Sequence, residues 1–277
     1  MAKLALCLIV KGTSDEAAYL RTCLESVHRY VDGIFININS KEGVNPSKAV
    51  IDTARKYTNN VITSVWVDDF AKARNENFAQ VTDDYTHIMW LDADDQVQNP
   101  KKIIPVLDAA PSLDALFVDY EYDHDEEGNP VTVHLNNRIV KNNGSHVWKG
   151  SIHETLIETR GVNQGSTKDW KVVHFASGKR QADSFARNIV MLEKQLEQEG
   201  GEPDPRTFYY LGSTYMDAGD LKRAKELLAN YLILSGWDQE RAVALTKLGN
   251  IYLQENNTTE AKRCFAQAIA EDPTNPE

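Results

Sequence analysis

The sequence predicts an α/β domain with a mostly parallel sheet, followed by an all-helical tail. Over the first hundred residues, short apolar runs alternate with segments of helical periodicity, which is typical of parallel strands joined by helical crossovers. The glycines and prolines of Gly200-Gly201-Glu202-Pro203-Asp204-Pro205 mark a boundary. Beyond this boundary, one pattern of residues occurs twice. We therefore predict an α/β domain over residues 1–182, a linker helix over 183–202 and two helical repeats over 203–277.

The composition is that of an ordinary soluble globular protein, with 42% hydrophobic and 26% charged residues in a chain of 277. The net charge of −11 argues against duplex nucleic acid as the main partner, although it leaves room for a local basic groove. Three cysteines at no metal-binding spacing favour a reducing compartment, so we expect a cytoplasmic protein. No segment reaches the length of a membrane span.

The first half of the chain supplies four strands and three helices. Residues 4–10 imitate a signal peptide, but Lys11 ends the run and no small-residue cleavage site follows, so we interpret the run as a buried strand. Alternation of apolar residues, or helical spacing of them, identifies the remaining elements. The predicted strands are 3–10, 33–40, 61–67 and 88–91, and the predicted helices are 15–30, 46–58 and 70–81.

The second half begins with two strands, 114–122 and 131–140, which a polar turn joins into an antiparallel pair. A strand over 172–175 and an amphipathic helix over 184–199 follow. In the tail, Leu211-Gly212 recurs as Leu248-Gly249, 37 residues later, and tyrosine and alanine positions recur with the same spacing. This pattern resembles two tetratricopeptide repeats. Because two repeats are fewer than such arrays need for stability, we expect them to pack on the first domain, on a partner, or on a second copy in a homodimer.

An acidic segment, Trp90-Leu91-Asp92-Ala93-Asp94-Asp95, directly follows the fourth predicted strand. Open α/β sheets bind ligands outside the carboxyl ends of their strands. In extended geometry Asp92 and Asp94 lie on one face, where they repel unless a cation or a shared proton neutralises the pair. Mg²⁺ or Mn²⁺ bound to a diphosphate meets this need. The alternative is that Asp92 caps a helix while the other acids are solvated.

Other motif classes are not supported. Val97 and Ile103 stand where an EF-hand starting at Asp92 requires Gly and Glu. No Gly-x-Gly-x-x-Gly follows the first strand and no Walker loop occurs, which argues against a dinucleotide-binding fold and a nucleoside triphosphatase.

Three segments together resemble family 2 glycosyltransferases of the GT-A fold. They are Leu-Cys-Leu-Ile-Val-Lys over 6–11, Asp69-Phe70 with Ala73-Arg74-Asn75, and the acidic segment, which resembles the Asp-x-Asp motif of that family. The resemblance covers roughly the first 200 residues and implies a nucleotide-sugar donor with Mn²⁺ or Mg²⁺ as cofactor. The chain departs from the family in the loop 11–16, where many members have Asn-Glu. It also has Asn37 and Asn39 where many members have an aspartate.

The resemblance implies roles for individual residues. Asp94 corresponds to the metal ligand, and His174 corresponds to a histidine that completes the metal shell in many members. An ordinary buried imidazole is the alternative for His174. Arg74 would contact the base or the diphosphate, and Asp92 the ribose or the metal. The amides of Asn37 and Asn39 can pair with a uracil edge, which favours a UDP-sugar. Further nucleotide-sugar contacts are expected at Val10, Lys11, Asp69, Ala93 and Trp148.

The segment Trp148-Lys149-Gly150-Ser151-Ile152-His153-Glu154 resembles the Trp-x-Gly-x-x-His-Glu segment of the peptide-modifying, protein-modifying and repeat-bearing members of that family. An inverting transferase needs a general base for the acceptor proton. The resemblance implies that Glu154 is this base, with His153 as its neighbour or an alternative. A zinc-protease motif fails because position 157 is Ile. Trp148 has two interpretations, a wall that stacks on a sugar and a core residue.

Taken together, these features favour a metal-dependent, inverting hexosyl- or pentosyltransferase, similar to the sublancin S-glycosyltransferase group. The acceptor, whether a peptide or protein, a glycan or a modified nucleotide, is open. A nucleotidyltransferase or pyrophosphatase is one alternative. It requires a basic loop for the triphosphate near the first strand, and this chain has no arginine before Arg21. A non-catalytic adaptor built on the repeats is another, and the intact acids Asp92, Asp94 and Glu154 argue against it.

Overall fold

The structure is a computed structural model that describes residues 1–125, 127–175 and 181–274, with side chains from 185 onward in the last range. Its contacts divide the chain into two compact units. The first comprises Met1–Gly150 and Glu154–Ser177, and the second comprises Ser151–His153 and Gly178–Glu277.

An eight-stranded sheet forms the centre of the first unit, in the order β3-β2-β1-β4-β7-β6-β10-β5. The pairs β1–β2, β1–β4, β2–β3 and β6–β10 are parallel, whereas β7 and β5 pair antiparallel to their neighbours. A two-stranded sheet, β8–β9, lies in the same unit. The strands are β1 (Leu4–Lys11), β2 (Gly33–Ser40), β3 (Val61–Val65), β4 (His87–Asp92), β5 (Asp95–Gln98), β6 (Ala115–His124), β7 (Pro130–Lys141), β8 (His146–Lys149), β9 (Thr155–Glu158) and β10 (Gln164–His174).

Four α-helices accompany the sheet in the described part of this unit: α1 (Glu16–Val27), α2 (Lys48–Arg55), α3 (Phe70–Phe78) and α4 (Ile103–Ala109). The large core contains Leu4, Leu6 and Leu8 of β1 together with side chains of α1 and α2. The alternate β1 residues Ala5 and Cys7 lie in a second core. Burial on both faces explains why β1 is an uninterrupted apolar run. The predicted sheet with flanking helices is confirmed.

Most predicted elements appear with boundaries shifted by up to three residues. The strand predicted over 172–175 is the end of a longer one, because β10 begins at Gln164 and ends at His174. The elements β5, α4, β8 and β9 were not anticipated. One geometric argument from the sequence is wrong. Asp92 and Asp94 do not continue one extended strand, because β4 ends at Asp92 and the chain turns at Ala93 and Asp94 before β5. The backbone N–H of Asp92 donates to Asp95 Oδ2 at 3.0 Å, and this bond closes the turn. Buried Asp95, rather than alternation along a strand, therefore sets the positions of the acids.

The second unit contains α5 (Gln181–Glu199), α6 (Pro205–Asp217), α7 (Leu221–Leu234), α8 (Asp238–Gln254) and α9 (Thr258–Glu271). Helix α6 packs on α7, and α8 packs on α9. A Cβ atom at Gly212 would lie 3.0 Å from Leu228, and one at Gly249 would lie 2.5 Å from Phe265. The repeated glycine therefore permits close approach of the paired helices. The predicted helical repeat is confirmed.

The repeated turns are also alike. Asp220 and Asn257, 37 residues apart, cap α7 and α9 by accepting hydrogen bonds from backbone N–H groups three residues later. Within the described residues, no helix is both long enough and apolar enough to cross a membrane.

Candidate active site at the carboxyl edge of the sheet

The parallel strands β1, β2 and β4 end along one edge of the sheet. The register pairs Ile9 with Asp92 and Lys11 with Asn39, so the ends of the three strands lie side by side. Helix α3 begins near this edge, after Asp69. The side chain of Asp69 caps the helix by accepting a hydrogen bond from the N–H of Lys72 at 2.7 Å. The edge thus brings together the acidic segment and the start of α3.

Arg74 of α3 joins two of the predicted site residues. Its Nη2 donates to Asp92 Oδ1 at 2.7 Å, and its Nε donates to Glu154 Oε1 at 2.6 Å. The guanidinium carbon lies 4.7 Å from the centre of the Trp90 ring and 4.9 Å from that of Trp148. Burial acts to lower the pKa of Arg74, but Asp92 and Glu154 outweigh it, so the group is charged at all ordinary pH values. Arg74, Asp92 and Glu154 form one ion network around a buried guanidinium.

Asparagines hold the helix that carries Arg74. Asn75 donates from Nδ2 to the carbonyl of Trp148 at 3.0 Å and accepts from the N–H of Trp148 at 3.1 Å. Asn77 donates to the carbonyl of Leu8 in β1 at 2.7 Å. Asn75 therefore ties α3 to β8, and Asn77 ties it to β1.

Asp95 is the centre of a second network, which the sequence did not reveal. The carboxylate is completely buried and accepts from Arg138 Nη1 at 3.0 Å, from Tyr120 OH at 3.1 Å and from His174 Nδ1 at 3.3 Å, in addition to the N–H of Asp92. Its place in the acidic segment was the one available signal, since its side-chain partners lie 25 to 79 residues away in the chain.

The two networks share the indole of Trp90. The guanidinium carbon of Arg138 lies 4.0 Å from the centre of this ring, and it lies 4.2 Å from the ring of Tyr120. Arg138 and Arg74 therefore both pack on one aromatic side chain while each pairs with a different acid of the acidic segment.

Acidic and basic side chains lie close together at this edge. Among the described residues, Asp92 and Glu154 pair with Arg74, and Asp95 pairs with Arg138. Burial opposes ionisation of Asp92, but Arg74 and Arg138 hold its pKa below the ordinary value. The pKa of Asp94 is raised by burial and by the charge of Asp92. A divalent cation bound beside Asp94 would favour its ionised form.

The predicted metal ligands Asp94 and His174 do come together. One donor atom from each of Asp94, Asp95 and His174 lies within 4.8 Å of the others. Burial lowers the pKa of His174, but the hydrogen bond to Asp95 and the charges of Asp94 and Asp95 raise it overall. The ring nitrogen recorded near both acids is Nδ1, which lies 3.3 Å from Asp95 Oδ1 and 3.8 Å from Asp94 Oδ1. A donor set with imidazole and carboxylate suits Mn²⁺ better than Mg²⁺.

A cavity of about 210 Å³ adjoins these acids on the side of α1. Its polar lining comes from the acidic turn and from α1. The lining residues are Ala18, Tyr19, Thr22, Cys23, Ala93, Asp94, Asp95, Gln96 and Phe175.

The residues expected to contact the nucleotide differ in accessibility. Lys11 is exposed at the end of β1, whereas Val10 and Ala93 are buried. Asn37 is completely buried; its Nδ2 donates to the carbonyl of Ala73 at 3.2 Å. Within the described residues its Oδ1 has no hydrogen-bond partner. Asn39 is also buried and donates to the carbonyl of Asn37 at 3.0 Å.

Trp148 and His153 have surroundings of different kinds. The structure places Trp148 in the core, 3% exposed, where its ring meets Trp90 edge-on at 4.8 Å. His153 belongs to the second unit, has a positive φ of 51°, and stacks its ring on Tyr210 at 4.1 Å. Although the residue as a whole is exposed, burial of the ring and the charges of Arg206 and Arg187 lower its pKa.

Comparison with known proteins adds two family matches. The model of "Glycosyl transferase family 2" matches residues 10–178, more than half of the chain, and a tetratricopeptide repeat model matches 215–277. A TPR repeat-containing protein of Synechococcus elongatus is 25% identical over 241 residues, which are 82% of this chain and 56% of that protein. The chain thus spans about half the length of this curated relative.

Two solved structures of S. aureus TarS 1-349, the second of them in complex with UDP-GlcNAc, are also similar to the chain. Each is 9% identical, with a TM-score of 0.47, over 99% of this chain and 93% of that one.

Proposed function

The chain belongs to glycosyl transferase family 2 and has the GT-A fold with a C-terminal tetratricopeptide region, and from this premise we propose that it is a metal-dependent, inverting glycosyltransferase. The donor is a nucleotide-diphosphate sugar, with UDP-sugars the first choice. The observation that supports this proposal most directly is the meeting of Asp94, Asp95 and His174 at the carboxyl edge of the sheet.

Asp94 and His174 are the residues that would hold the cation, with Asp95 behind them. A bound Mn²⁺ or Mg²⁺ would supply positive charge to the diphosphate as it leaves. Asp95 keeps His174 in one orientation, and Arg138 and Tyr120 keep Asp95 in place. The rigid anchor means that the ligands need not reorganise when the cation and donor arrive.

The nucleotide would lie along the ends of β1, β2 and β4. Lys11 is exposed there and can reach a phosphate, and Asp92 is the acid at the end of β4. Because Asn37, Val10 and Ala93 are buried, their contacts to a nucleotide would require local opening or use backbone atoms. The proposed donor contacts are Val10, Lys11, Asn37, Asn39, Asp69, Asp92 and Ala93.

Glu154 is the proposed base. Its carboxylate is 12% exposed and uses Oε1 for Arg74. The acceptor's O–H or S–H proton would pass to Glu154 as the acceptor atom bonds to the anomeric carbon. The bond from that carbon to the diphosphate oxygen breaks, and its electron pair leaves with the diphosphate. One displacement of this kind inverts the anomeric centre. His153 is the weaker candidate, because its lowered pKa makes it a poor proton acceptor.

Calorimetry provides the first test. UDP, GDP and CDP are titrated into the chain with Mn²⁺ or with EDTA, and then into Asp94→Ala. The control is Asp84→Ala, which removes an exposed acid before β4, at the opposite end of the strand. We expect one nucleotide to bind only with Mn²⁺, binding to be lost in Asp94→Ala, and the control to behave as wild type. The absence of nucleotide binding under every metal condition would contradict the proposal.

The second test is hydrolysis of the sugar derivatives of that nucleotide, with water as the acceptor. Glu154→Gln should keep nucleotide affinity and lose about 10²–10⁴-fold in rate, which is the usual contribution of a general base. Equal loss in His153→Gln and none in Glu154→Gln would transfer the role to the histidine.

The helical repeats are proposed to bind a partner, with a second copy of the chain as the first choice. Light scattering across a concentration series should then give twice the mass of one chain. A monomer at all concentrations would contradict the homodimer.

A further inference from the structure

The guanidinium of Arg74 is largely enclosed. Carboxylates bond its Nε and Nη2, and the rings of Trp90 and Trp148 lie within 5 Å of its guanidinium carbon. Only 7% of the side chain is exposed. A donor phosphate would therefore find two of the three guanidinium nitrogens already bound to carboxylates and little exposed surface to contact. The surroundings suit a group that holds other residues better than one that receives the donor.

The position of Arg74 is itself held by its neighbours. The carbonyl of Ala73 accepts from Asn37 of β2, Asn75 bonds both backbone groups of Trp148, and Asn77 bonds Leu8 of β1. The two positions that flank Arg74 and one in the next turn are thus fixed to β1, β2 and β8. The guanidinium is a rigid reference point at the edge of the sheet.

Glu154, in contrast, lies in an irregular segment. It follows His153, with its positive φ, and precedes β9, so regular secondary structure does not hold its backbone. A glutamate side chain has several rotamers, and confining it to one of them costs conformational entropy. The charge-assisted bond from Arg74, across 80 residues of sequence, selects one orientation of the carboxylate. With Oε1 bound to Arg74, Oε2 is the oxygen that can face an acceptor.

We propose that Arg74 is a positioning residue for the base Glu154, which it joins to Asp92 at the end of β4, and that it is not a donor-binding residue. This inference rests on the proposed glycosyl transfer. A guanidinium is needed because its planar edges bond two carboxylates at once while its faces pack on the indoles. The ammonium of lysine is a point charge that cannot do both.

The decisive variant is Arg74→Lys, which keeps the charge and loses the bridge. We expect the affinity for UDP with Mn²⁺, by calorimetry, to stay within about threefold of wild type, because donor binding does not use Arg74. The rate constant kcat for hydrolysis of the UDP-sugar should fall about 10²-fold, the cost of a misplaced catalytic group, with little change in KM.

The matched control is Arg241→Lys, which breaks a paired contact of Arg241 with Glu271 in the second unit. It should leave both UDP affinity and hydrolysis unchanged. If Arg74→Lys does not fold, Asn75→Ala takes its place, because it releases α3 from Trp148 without touching either carboxylate. It should show the same loss of kcat with UDP affinity retained.

A measurement that does not depend on catalysis tests the pairing. Urea midpoints are compared for Arg74→Lys, Glu154→Gln and the double variant. If the two side chains act as one unit, the midpoint losses of the single variants will not add in the double variant. Additive losses would overturn the inference.

The kinetic results separate the two proposals. A tenfold or larger loss of UDP affinity in Arg74→Lys, with kcat unchanged, would make Arg74 a donor contact and overturn the inference while glycosyl transfer stands. If wild type binds no nucleotide and hydrolyses no nucleotide sugar, the proposed function fails first and the inference fails with it.

Discussion

The substitution Asp95→Asn should destabilise the first unit more than the replacement of any exposed acid by its amide. The carboxylate is completely buried and accepts four hydrogen bonds, of which one comes from Arg138, itself almost completely buried. An asparagine has one acceptor oxygen, and its NH₂ group would face donors. It would also leave the cation of Arg138 without its anion inside the protein. Breaking a buried ion pair by removal of one partner costs about 3–5 kcal/mol.

Urea denaturation followed by tryptophan fluorescence measures this cost. Four of the five tryptophans, Trp66, Trp90, Trp148 and Trp170, belong to the first unit, so the signal reports mainly on that unit. With an m value of about 2.5 kcal/mol/M, the expected loss lowers the midpoint by ~1.2–2 M. The control is Asp52→Asn, which removes an exposed partner of Lys48 in α2. It should cost no more than ~0.5 kcal/mol.

A second change shows whether the unpaired cation is the cause. Arg138→Met added to Asp95→Asn removes that cation and keeps an apolar side chain against Trp90. The double variant should therefore be more stable than Asp95→Asn alone. If Asp95→Asn shifts the midpoint no more than Asp52→Asn does, the network is not a stabilising one and the reasoning is refuted.

Three further outcomes are expected. In EDTA, His174→Gln should lower the free energy of unfolding at pH 6 more than at pH 9. The pKa of His174 is raised in the folded state, so protonation of the imidazole stabilises the fold below the ordinary value of 6.5, and this stabilisation is lost as the pH rises through the raised pKa. Equal losses at both pH values would contradict this. Gly249→Ala should lower the thermal stability of the second unit by about 1–3 kcal/mol through its clash with Phe265. The control Gly236→Ala should not lower this stability, because a Cβ atom at that position meets nothing within 4 Å. Equal effects of the two substitutions would count against close packing of the helices at Gly249. Mn²⁺ at 100 times its Kd should stabilise the wild type by ~2.7 kcal/mol, and no shift would argue against the cation site.

Local patterns predicted much of this fold. The alternation in 33–40 predicted β2 with its observed bounds, and the apolar run after Lys3 predicted β1. The recurrence of Gly212 at Gly249 predicted two helical hairpins because each glycine marks a close helix contact. In a helix or a strand, the residues that share a buried face recur at a characteristic spacing, and this spacing of apolar residues is visible in a single sequence.

The sequence predicted the location of the candidate site better than it predicted the contacts within the site. Asp92 and Asp94 follow a buried strand, and such strands end where α/β sheets bind ligands. The partners of these acids come from distant strands: Arg138 from β7, Tyr120 from β6 and His174 from β10. No local pattern encodes which of the many arginines and tyrosines will meet a given acid.

The sequence by itself determined the fold class, the repeat and the edge of the sheet where the acids lie, because each depends on short-range periodicity or on the order of the elements. Only the tertiary structure decided that the chain turns after Asp92, that Asp95 is the buried anchor, and that Arg74 bonds Glu154. These contacts depend on the register of strands and on the path of irregular segments, which are set by packing across many residues. Each such contact depends on two residues far apart in the chain, so the local sequence around either residue alone does not predict it.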